Sequence, residues 1–432
     1  MLAPRPSSCF HPLMSRHRRT NGGPIVTQPP PFIAIVGAGP AGLAAAEVLS
    51  AAGFRVALYD RMPSAARKFL MAGRGGLNLT HSEPADAFLA RYGTAAERLA
   101  PVLAAFPPQA LRDWAAGLGE ETFVGSSGRV FPRRFKASPL LRAWLGRLAA
   151  NGVTFHPRYE WRGFDASGAL LFETPDGPAE VKADAVILAL GGASWPRLGS
   201  DGAFVPTLRS LGVAVEDFVP ANMGVRVPWS QVFREKFAGT PLKRIALTFN
   251  GVTVKGEAMV SAAGLEGGAI YALSAPLRRA LADGPVTLHM DLRPDIDGAA
   301  LARRLGGGPG SASFSTFLRK GAGLAPVAVG LIREATGPGK PDPATVARLI
   351  KALPLTITGH AGLERAISSA GGIAWEGIGP DFSLLGLPPH LPPVFVAGEM
   401  LDWEAPTGGY LLQAVIASGR AAGAGAKALL SR

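Results

Sequence analysis

Short apolar runs alternate with a helical pattern in the first folded part of the chain. Residues 31–36 form an uninterrupted apolar run, which predicts a buried strand. An alanine-rich helix over 40–52 follows and is ended by Gly53, and residues 54–59 predict a second strand that closes on Asp60. A strand, a helix and a second strand within about thirty residues predict a β-α-β unit of a parallel sheet.

Later segments continue with elements of different periodicity. A helix is predicted over 137–150, a strand over 153–158, and a hairpin followed by a buried strand within 169–190. Short alternating strands are predicted over 206–275. A strand and a final helix, over 411–423, follow residue 392. Four helical segments lie before them, at 297–305, 312–320, 325–335 and 342–353.

This order of elements predicts an α/β domain that is interrupted by a β-rich and a helical insertion. The predicted segments are a disordered tail over 1–30, the first part of the α/β domain over 31–205, the β-rich insertion over 206–290, the helical insertion over 291–353, and the last part of the α/β domain over 371–432. The β-rich pattern can resume near 354–370.

Composition and charge exclude several classes of protein. The chain has 432 residues, of which 47% are hydrophobic and 18% charged, as in ordinary globular proteins. No apolar run is long enough for a membrane-spanning helix. Cys9 is the only cysteine, so an internal disulfide, a redox-active cysteine pair and a core cysteine for covalent flavin attachment are excluded. No metal-ligand cluster is evident.

The first thirty residues and the net charge bear on location and partners. Residues 1–30 lack the apolar core of a secretory signal, so we expect a cytoplasmic protein, and translation from Met14 is an alternative start. They hold four arginines and no acid, so the net charge of +12 falls to +8 for the remainder, with 40 basic and 32 acidic residues. That excess is spread along the chain, which favours a solubility role over nucleic-acid binding.

The turn after the first strand carries a phosphate-binding motif. It reads Gly37-Ala38-Gly39-Pro40-Ala41-Gly42, a G-x-G-x-x-G sequence between a strand and a helix. Gly37 permits the tight turn, Gly39 lets the backbone approach a pyrophosphate, and Gly42 lets the helix pack closely on the strand. Asp60, 23 residues after Gly37, is placed to bind the ribose hydroxyls of a dinucleotide.

Two later segments identify the dinucleotide as FAD. The predicted strand that ends at Gly398 is followed by Glu399 and by Thr407-Gly408-Gly409-Tyr410, which opens the last helix. This is how FAD proteins of the two-dinucleotide-binding-domain type return to the flavin: the acid holds the ribitol and the helix start faces the ring. A third strand ends in Gly191-Gly192, as in FAD proteins.

The chain beyond residue 31 resembles a family of bacterial flavoproteins that includes BaiN-like and aminoacetone-oxidase-like proteins. The resemblance rests on residues 67–80, on 191–202, on Ala370-Gly371-Gly372-Ile373 and on the C-terminal segment. It implies a Rossmann-like FAD-binding domain with a β-barrel-like and a helical insertion. Many relatives read Gly-Arg-Cys-Asn-Leu-Thr-Asn where this chain has Gly75-Gly76-Leu77-Asn78-Leu79-Thr80-His81, so a role of that arginine or cysteine does not transfer.

Together these motifs give a set of predicted site residues. We expect non-covalent FAD contacts from Gly37, Gly39, Pro40, Ala41, Gly42, Asp60, Arg61, Lys68, Gly73, Arg74, Gly75, Asn78, Gly191, Gly192, Gly398, Glu399, Thr407, Gly408, Gly409 and Tyr410. The candidates for acid-base chemistry are His81, Glu257 and Tyr271, with Glu266 as a further acid in the glycine-rich segment 256–271.

The sequence predicts an FAD-dependent oxidoreductase of a small organic substrate and leaves its electron source open. No second G-x-G-x-x-G follows a strand, so NAD(P)H would be a transient donor without a Rossmann site of its own. Alternatively, the substrate reduces the flavin and oxygen reoxidises it, as in an amine oxidase. An RNA-associated flavoprotein and a flavin-binding protein without turnover are the other hypotheses. The oligomeric state is undetermined.

Overall fold

The computed structural model describes residues 29–339 and 341–432, except for the side chain of Arg74. The predicted tail, with Cys9, thus lies outside the described residues through residue 28. The strands are β1 (Phe32–Val36), β2 (Arg55–Asp60), β3 (Thr80–His81), β4 (Thr122–Val124), β5 (Arg129–Pro132), β6 (Thr154–Pro157), β7 (Glu160–Phe164), β8 (Leu170–Thr174), β9 (Gly177–Val181), β10 (Ala185–Leu188), β11 (Val215–Ala221), β12 (Val225–Arg226), β13 (Pro241–Phe249), β14 (Val252–Ser261), β15 (Gly264–Glu266), β16 (Val286–Asp291), β17 (Leu353–Ile357), β18 (Gly359–His360), β19 (Ser368–Ile373) and β20 (Val394–Val396). The α-helices are α1 (Pro40–Ala51), α2 (Arg67–Ala72), α3 (Ala85–Ala90), α4 (Ala96–Ala105), α5 (Pro108–Ala116), α6 (Ala137–Ala150), α7 (Val205–Ser210), α8 (Gln231–Phe237), α9 (Gly268–Tyr271), α10 (Ser274–Leu281), α11 (Gly298–Leu305), α12 (Phe314–Ala322), α13 (Pro326–Thr336), α14 (Pro343–Lys351) and α15 (Tyr410–Leu430).

A five-stranded parallel sheet forms the centre of the α/β domain. Its order is β20-β10-β1-β2-β6, and every neighbouring pair is parallel. The short apolar runs of β1 and β10 are almost wholly buried, as expected for strands covered on both faces. Because β20 joins the same sheet as β1, the two ends of the chain build one dinucleotide-binding fold, which confirms the predicted fold class.

Small residues allow the first and last helices to pack closely beside this sheet. A β-carbon added at Gly419 of α15 would lie 2.2 Å from the carbonyl oxygen of Ala41, and one at Gly423 would lie 3.0 Å from that of Ala45. The backbones of α1 and α15 therefore approach to a distance that only glycine permits on the α15 side.

The chain also forms two three-stranded antiparallel sheets between β2 and β10. The predicted hairpin within 169–190 is confirmed as β8 and β9, to which β7 adds a third strand. The second small sheet has the order β3-β5-β4. Its strand β3, which follows the glycine-rich loop at 73–76, pairs with the hairpin at 122–132.

A second hydrophobic core is formed within residues 223–366. A seven-stranded sheet, in the order β17-β16-β13-β14-β15-β12-β18, and the helices α11 to α14 contribute to this one core. The predicted helices at 297–305, 312–320, 325–335 and 342–353 are confirmed as α11 to α14 within two residues at each end. The division into separate β-rich and helical insertions at 290 stays a prediction.

Three features of the chain differ from the expected pattern. Strands do not run through all of 206–275, because α7, α8, α9 and the start of α10 occupy parts of it. Helix α8 begins where the hydroxyl of Ser230 accepts a hydrogen bond from the N–H of Phe233, and it buries Phe233 and Phe237 on one face. The last helix continues to Leu430, and β10 ends two residues before Leu190. Within the described part of the chain, no helix combines the length and apolarity that a membrane span requires.

Candidate functional site

The strands β1, β2, β10 and β20 end at one cleft. The cleft holds about 1210 Å³ of empty space, open solvent included. The predicted cofactor residues that line it are Gly37, Gly39, Pro40, Ala41, Asp60, Arg61, Lys68, Gly191, Gly398 and Glu399. Predicted cofactor residues from both ends of the chain thus line one open cleft.

The glycines of the first turn have different steric surroundings. Gly37 has a φ of +102°, and a β-carbon there would lie 2.2 Å from the carbonyl oxygen of Ala189. A β-carbon at Gly42 would lie 1.9 Å from the carbonyl oxygen of Gly37. At Gly39, by contrast, no protein atom lies within 4 Å of an added β-carbon. Gly37 and Gly42 thus serve the fold, whereas Gly39 faces open space in the cleft.

Helix α1 presents free backbone donors to this space. Gly39 is its N-cap residue and Pro40 occupies the first turn, and no side chain caps the helix. The N–H groups at a helix start lack intrahelical partners, and the helix dipole adds positive potential there. This arrangement can bind a pyrophosphate.

Asp60 and Arg61 close the cleft at the end of β2. The carboxylate of Asp60 accepts hydrogen bonds from the N–H groups of Ala38, at 2.7 Å, and Met62, at 2.8 Å. Burial raises the pKa of Asp60 above its ordinary value of 3.8, and these two hydrogen bonds act in the opposite direction. Arg61 forms an ion pair with Asp201 at 2.6 Å. Arg61 is therefore held at the rim by a protein partner.

Lys68 and Glu399 form an ion pair within the cleft. The Nζ atom of Lys68 lies 2.7 Å from a carboxylate oxygen of Glu399 and 2.6 Å from the hydroxyl oxygen of Ser194. The other carboxylate oxygen of Glu399 accepts a hydrogen bond from the N–H of Ser369 at 3.1 Å. Two residues that the sequence predicted to contact FAD thus contact each other.

The double glycine after β10 borders this ion pair. Gly191 has a φ of +75°, which favours glycine. A β-carbon at Gly192 would lie 2.0 Å from the hydroxyl oxygen of Ser369 and 3.1 Å from Cγ of Glu399. The hydroxyl of Ser369 also accepts a hydrogen bond from the N–H of Ala193. A side chain at residue 192 would displace Ser369 and crowd Glu399.

The C-terminal loop before α15 contacts β3 rather than the cleft. Gly408 and Gly409 have φ values of +142° and +97°, and a β-carbon at Gly409 would lie 2.5 Å from backbone atoms of Thr80. The N–H of Thr407 donates to the side chain of Asn222 at 2.9 Å. Tyr410 is buried, and its carbonyl oxygen accepts a hydrogen bond from the hydroxyl of Tyr92.

The segment from the start of α2 to β3 contains buried polar side-chain atoms without a partner. Among the described residues, Asn78 Oδ1, Thr80 Oγ1 and Arg67 Nε are buried and have no hydrogen-bond partner. Gly73 packs on Ala137, where a β-carbon would lie 2.5 Å away, whereas Gly75 faces open space. Buried polar atoms without a partner are rare in proteins. These atoms and the open cradle at Gly39 therefore fit a polar ligand such as FAD.

The three candidates for acid-base chemistry lie outside the cleft. Both ring nitrogens of His81 have backbone partners: Nδ1 accepts from the N–H of Glu83 at 3.2 Å, so Nε2 donates to the carbonyl oxygen of Ser127 at 3.0 Å. Glu257 is exposed on β14 and lines a separate surface depression. Tyr271 is half-buried at the end of α9, and burial raises the pKa of its hydroxyl. Their catalytic roles stay predictions.

Sequence reasoning missed the polar residues that position the loops. Asn222 is buried with a φ of +50°, and its side chain donates to Ser368 Oγ and to the carbonyl oxygen of Ala405. Ser369 orients Glu399, as described above. A serine next to the Ala370-Gly371-Gly372 motif was the available signal for Ser369. No local pattern marks Asn222, because its partners are more than a hundred residues away.

Comparisons with known proteins identify the family of the chain. The family model described as HI0933-like protein Rossmann domain matches residues 31–425. A curated relative, the 3-dehydro-bile acid delta(4,6)-reductase of Clostridium scindens, is 27% identical over 408 residues, which cover 90% of this chain and 98% of that protein.

The fold is similar to that of solved flavoproteins. The open conformation of a flavocytochrome c3 fumarate reductase superposes with a TM-score of 0.50 and 15% sequence identity, covering 93% of this chain and 79% of that chain. At this identity the likeness concerns the fold.

Proposed function

The chain belongs to the HI0933-like family of Rossmann-fold proteins and is an FAD-dependent oxidoreductase, and from that premise we propose that it is a reductase that takes electrons from NAD(P)H and reduces an unsaturated apolar carbonyl compound. Membership confirms the resemblance that the sequence motifs indicated. The observation that carries the proposal is the likeness to the Clostridium scindens reductase over almost the whole of that protein. The name of that relative supports both the direction of electron flow and the class of substrate.

We assign the phosphate and adenosine end of FAD to the cleft residues around β1 and β2. The free N–H groups at the start of α1 bind the pyrophosphate, and the open space at Gly39 admits it. Asp60 accepts hydrogen bonds from the ribose, and its existing bonds to Ala38 and Met62 hold the carboxylate in place. Arg67, whose Nε has no partner, contributes positive charge next to the phosphates.

The flavin end is assigned to Glu399 in the cleft and to two segments beyond the cleft lining, at Asn78 and at Gly409, the second of which contacts β3. Glu399 accepts hydrogen bonds from the ribitol hydroxyls, and Lys68 and Ser369 fix the orientation of its carboxylate. The side-chain oxygen of Asn78 and the start of α15 at Gly409 border the ring. When bound, FAD supplies the hydride-transfer chemistry, and the protein supplies binding, orientation and electrostatics.

The described chain offers NAD(P)H no dinucleotide-binding domain of its own. Among residues 29–339 and 341–432, the sheet around β1 is the one all-parallel sheet, and its strand ends form the FAD cleft. We therefore propose that NAD(P)H contacts the flavin transiently at an open face. The lack of a second G-x-G-x-x-G motif after a strand supports this proposal.

Anaerobic rapid mixing tests the proposed function. The FAD-loaded protein is mixed with NADPH or NADH, and then with testosterone, an unsaturated ketone, or with oxygen. We expect a nicotinamide to bleach the flavin absorption band, and testosterone to restore it faster than oxygen does. If neither nicotinamide bleaches the band, whereas aminoacetone does and oxygen restores it, the protein is an amine oxidase and the proposal is wrong.

A further inference from the structure

Phe123 of β4, Phe131 of β5 and Phe135, three residues after β5, form an aromatic stripe beside the sheet β3-β5-β4. Phe123 and Phe131 are directly opposed in the β4–β5 register, with ring centroids 5.9 Å apart. The ring of Phe135 lies 5.4 Å from that of Phe131 and is 47% exposed. Phe123 and Phe131 are partly exposed. Apolar side chains that form a contiguous exposed patch mark binding sites more often than isolated ones do.

Arg129 extends the aromatic stripe with a positive charge. It lies two residues before Phe131 on β5, so both side chains leave the same face of the strand, whereas Val130 between them is buried on the other face. The guanidinium of Arg129 forms no hydrogen bond or ion pair with any residue that the structure describes, although Arg129 is only partly exposed. Arg133 on the same hairpin, by contrast, pairs with Glu121 at 2.9 Å.

The guanidinium of Arg129 faces the inserted part of the chain. A β-carbon added at Gly268, the first residue of α9, would lie 3.9 Å from Nη2 of Arg129. Tyr271 ends the same short helix and is half-buried. The space beside Arg129 is therefore bordered by the α/β domain on one side and by the second core on the other.

The aromatic stripe packs directly on the glycine-rich loop that we assign to the flavin. A β-carbon at Gly76 would lie 3.1 Å from the ring of Phe135 and 3.8 Å from that of Phe131. The N–H of Leu77 donates to the carbonyl oxygen of Phe135 at 3.1 Å. A molecule that lies on the stripe thus lies next to the loop at 73–78.

We propose that Arg129 and the aromatic stripe form the substrate subsite, and that its ligand is an apolar carboxylic acid. The planar fork of Arg129 binds the carboxylate through two parallel hydrogen bonds, and the apolar body lies on Phe131 and Phe135. Binding gives the guanidinium the anionic partner that the protein does not provide. This proposal rests on the proposed function, because it identifies the substrate of the same flavin site.

Two fluorescent probes test the subsite in the FAD-loaded protein. Anilinonaphthalenesulfonate is an apolar anion, and phenylnaphthylamine has the same ring system without the anionic group. We expect Arg129→Gln to weaken binding of the anion at least about tenfold, as for a lost charge-assisted hydrogen bond, and to change binding of the neutral probe by less than about twofold. Arg129→Lys, which keeps the charge without the fork, should give an intermediate loss for the anion.

Two further variants separate the subsite from general effects. Phe135→Ser should weaken both probes, because it removes part of the apolar surface that they share. Arg133→Gln removes a cation from an exposed position on the same hairpin and should change neither affinity. The proposal is overturned if the wild type binds neither probe, if Arg129→Gln leaves the affinity for the anion unchanged, or if Arg133→Gln lowers it equally.

The failure of the subsite and the failure of the proposed function give different results. FAD content and the rate of reduction by NADPH are measured on the same samples. A wild type that holds FAD and is reduced, yet binds the anion independently of Arg129, contradicts the subsite alone. A wild type that neither NADPH nor NADH reduces contradicts the proposed function, whatever the probes show.

Discussion

Glycines that look equivalent in the G-x-G-x-x-G sequence have different physical roles. Gly37 and Gly42 have no space for a β-carbon, because backbone atoms lie about 2 Å from its position. Gly39 has an ordinary φ of −78° and an open surrounding. A side chain at residue 39 is thus compatible with the fold and projects into the space that we assign to the pyrophosphate.

Gly39→Val is therefore expected to abolish FAD binding without unfolding the protein. The purified variant should be colourless, with a circular dichroism spectrum like that of the FAD-free wild type. Gly298→Val makes the same change at an exposed position that also has open space, and it should retain FAD. A yellow Gly39→Val variant with a normal FAD content would contradict the placement of the pyrophosphate.

Asp402 gives a prediction of pH-dependent stability. Burial raises its pKa above the ordinary 3.8, and the nearby carboxylate of Glu216 raises it further. The folded state thus holds the proton of Asp402 more tightly than the unfolded state does. Ionised Asp402 consequently lowers stability at neutral pH, and this cost disappears as the pH falls below the unfolded-state pKa.

Asp402→Asn should raise the melting temperature at about pH 7 and have little effect at about pH 3, where both states hold the proton. Asparagine keeps an oxygen to accept the hydrogen bond from the N–H of Gly371. Asp283→Asn, at an exposed carboxyl group, is the matched control and should have little effect at either pH. A lower melting temperature of Asp402→Asn at neutral pH would refute this assignment.

Single site residues were predictable where the neighbouring sequence determines their position. The turn glycines follow from the strand and helix on either side of them. The ion pair of Lys68 with Glu399 was not predictable, because 331 residues separate the partners and the pairing depends on the completed sheet. His81 was a candidate for acid-base chemistry, whereas its two backbone partners arise from the β3–β5 pairing and the turn beside it.

At the scale of elements, the contact of α1 with α15 leaves no space for a side chain at residue 419. A β-carbon at Gly419 would overlap the carbonyl of Ala41, so the helices cannot keep their separation if residue 419 carries a side chain. The sequence predicted both helices from their periodicity. It did not predict their contact, because small residues on a helix face do not identify the partner helix.

Gly419→Ala should lower the melting temperature, by an amount that corresponds to roughly 1–3 kcal/mol of overpacking. This loss is expected even though alanine favours helices by about 1 kcal/mol over glycine. Ala424→Gln, on the exposed face of the same helix, should leave the melting temperature nearly unchanged. If Gly419→Ala melts at or above the temperature of the wild type, the close packing of the two helices is not as described.

Strand and helix predictions succeeded where one periodicity dominates a segment. The buried parallel strands and the amphipathic helices α11 to α14 are such cases. Helix α8 was missed because its seven residues lie between alternating segments and its start depends on the Ser230 cap. A pattern of apolar residues over so short a segment does not separate the two periods.

At the scale of the whole molecule, the functional fold depends on contacts between distant parts of the sequence. Strand β20 joins the sheet of β1, and α15 packs on α1, so the first and last elements enclose the cleft. The sequence predicted this closure from the order of three FAD motifs. How β-rich and helical segments share the second core was not predictable, since no motif reports which helix packs on which strand.

The central claim is that both ends of the chain bind one FAD without a covalent bond. The most direct test is to denature the purified, FAD-saturated protein with acid and to identify the flavin in the supernatant and the precipitate by chromatography. The account predicts about one FAD per chain, all of it intact and in the supernatant, as for a non-covalent cofactor. A colourless protein that takes up no added FAD, or flavin that stays with the precipitate, would contradict it.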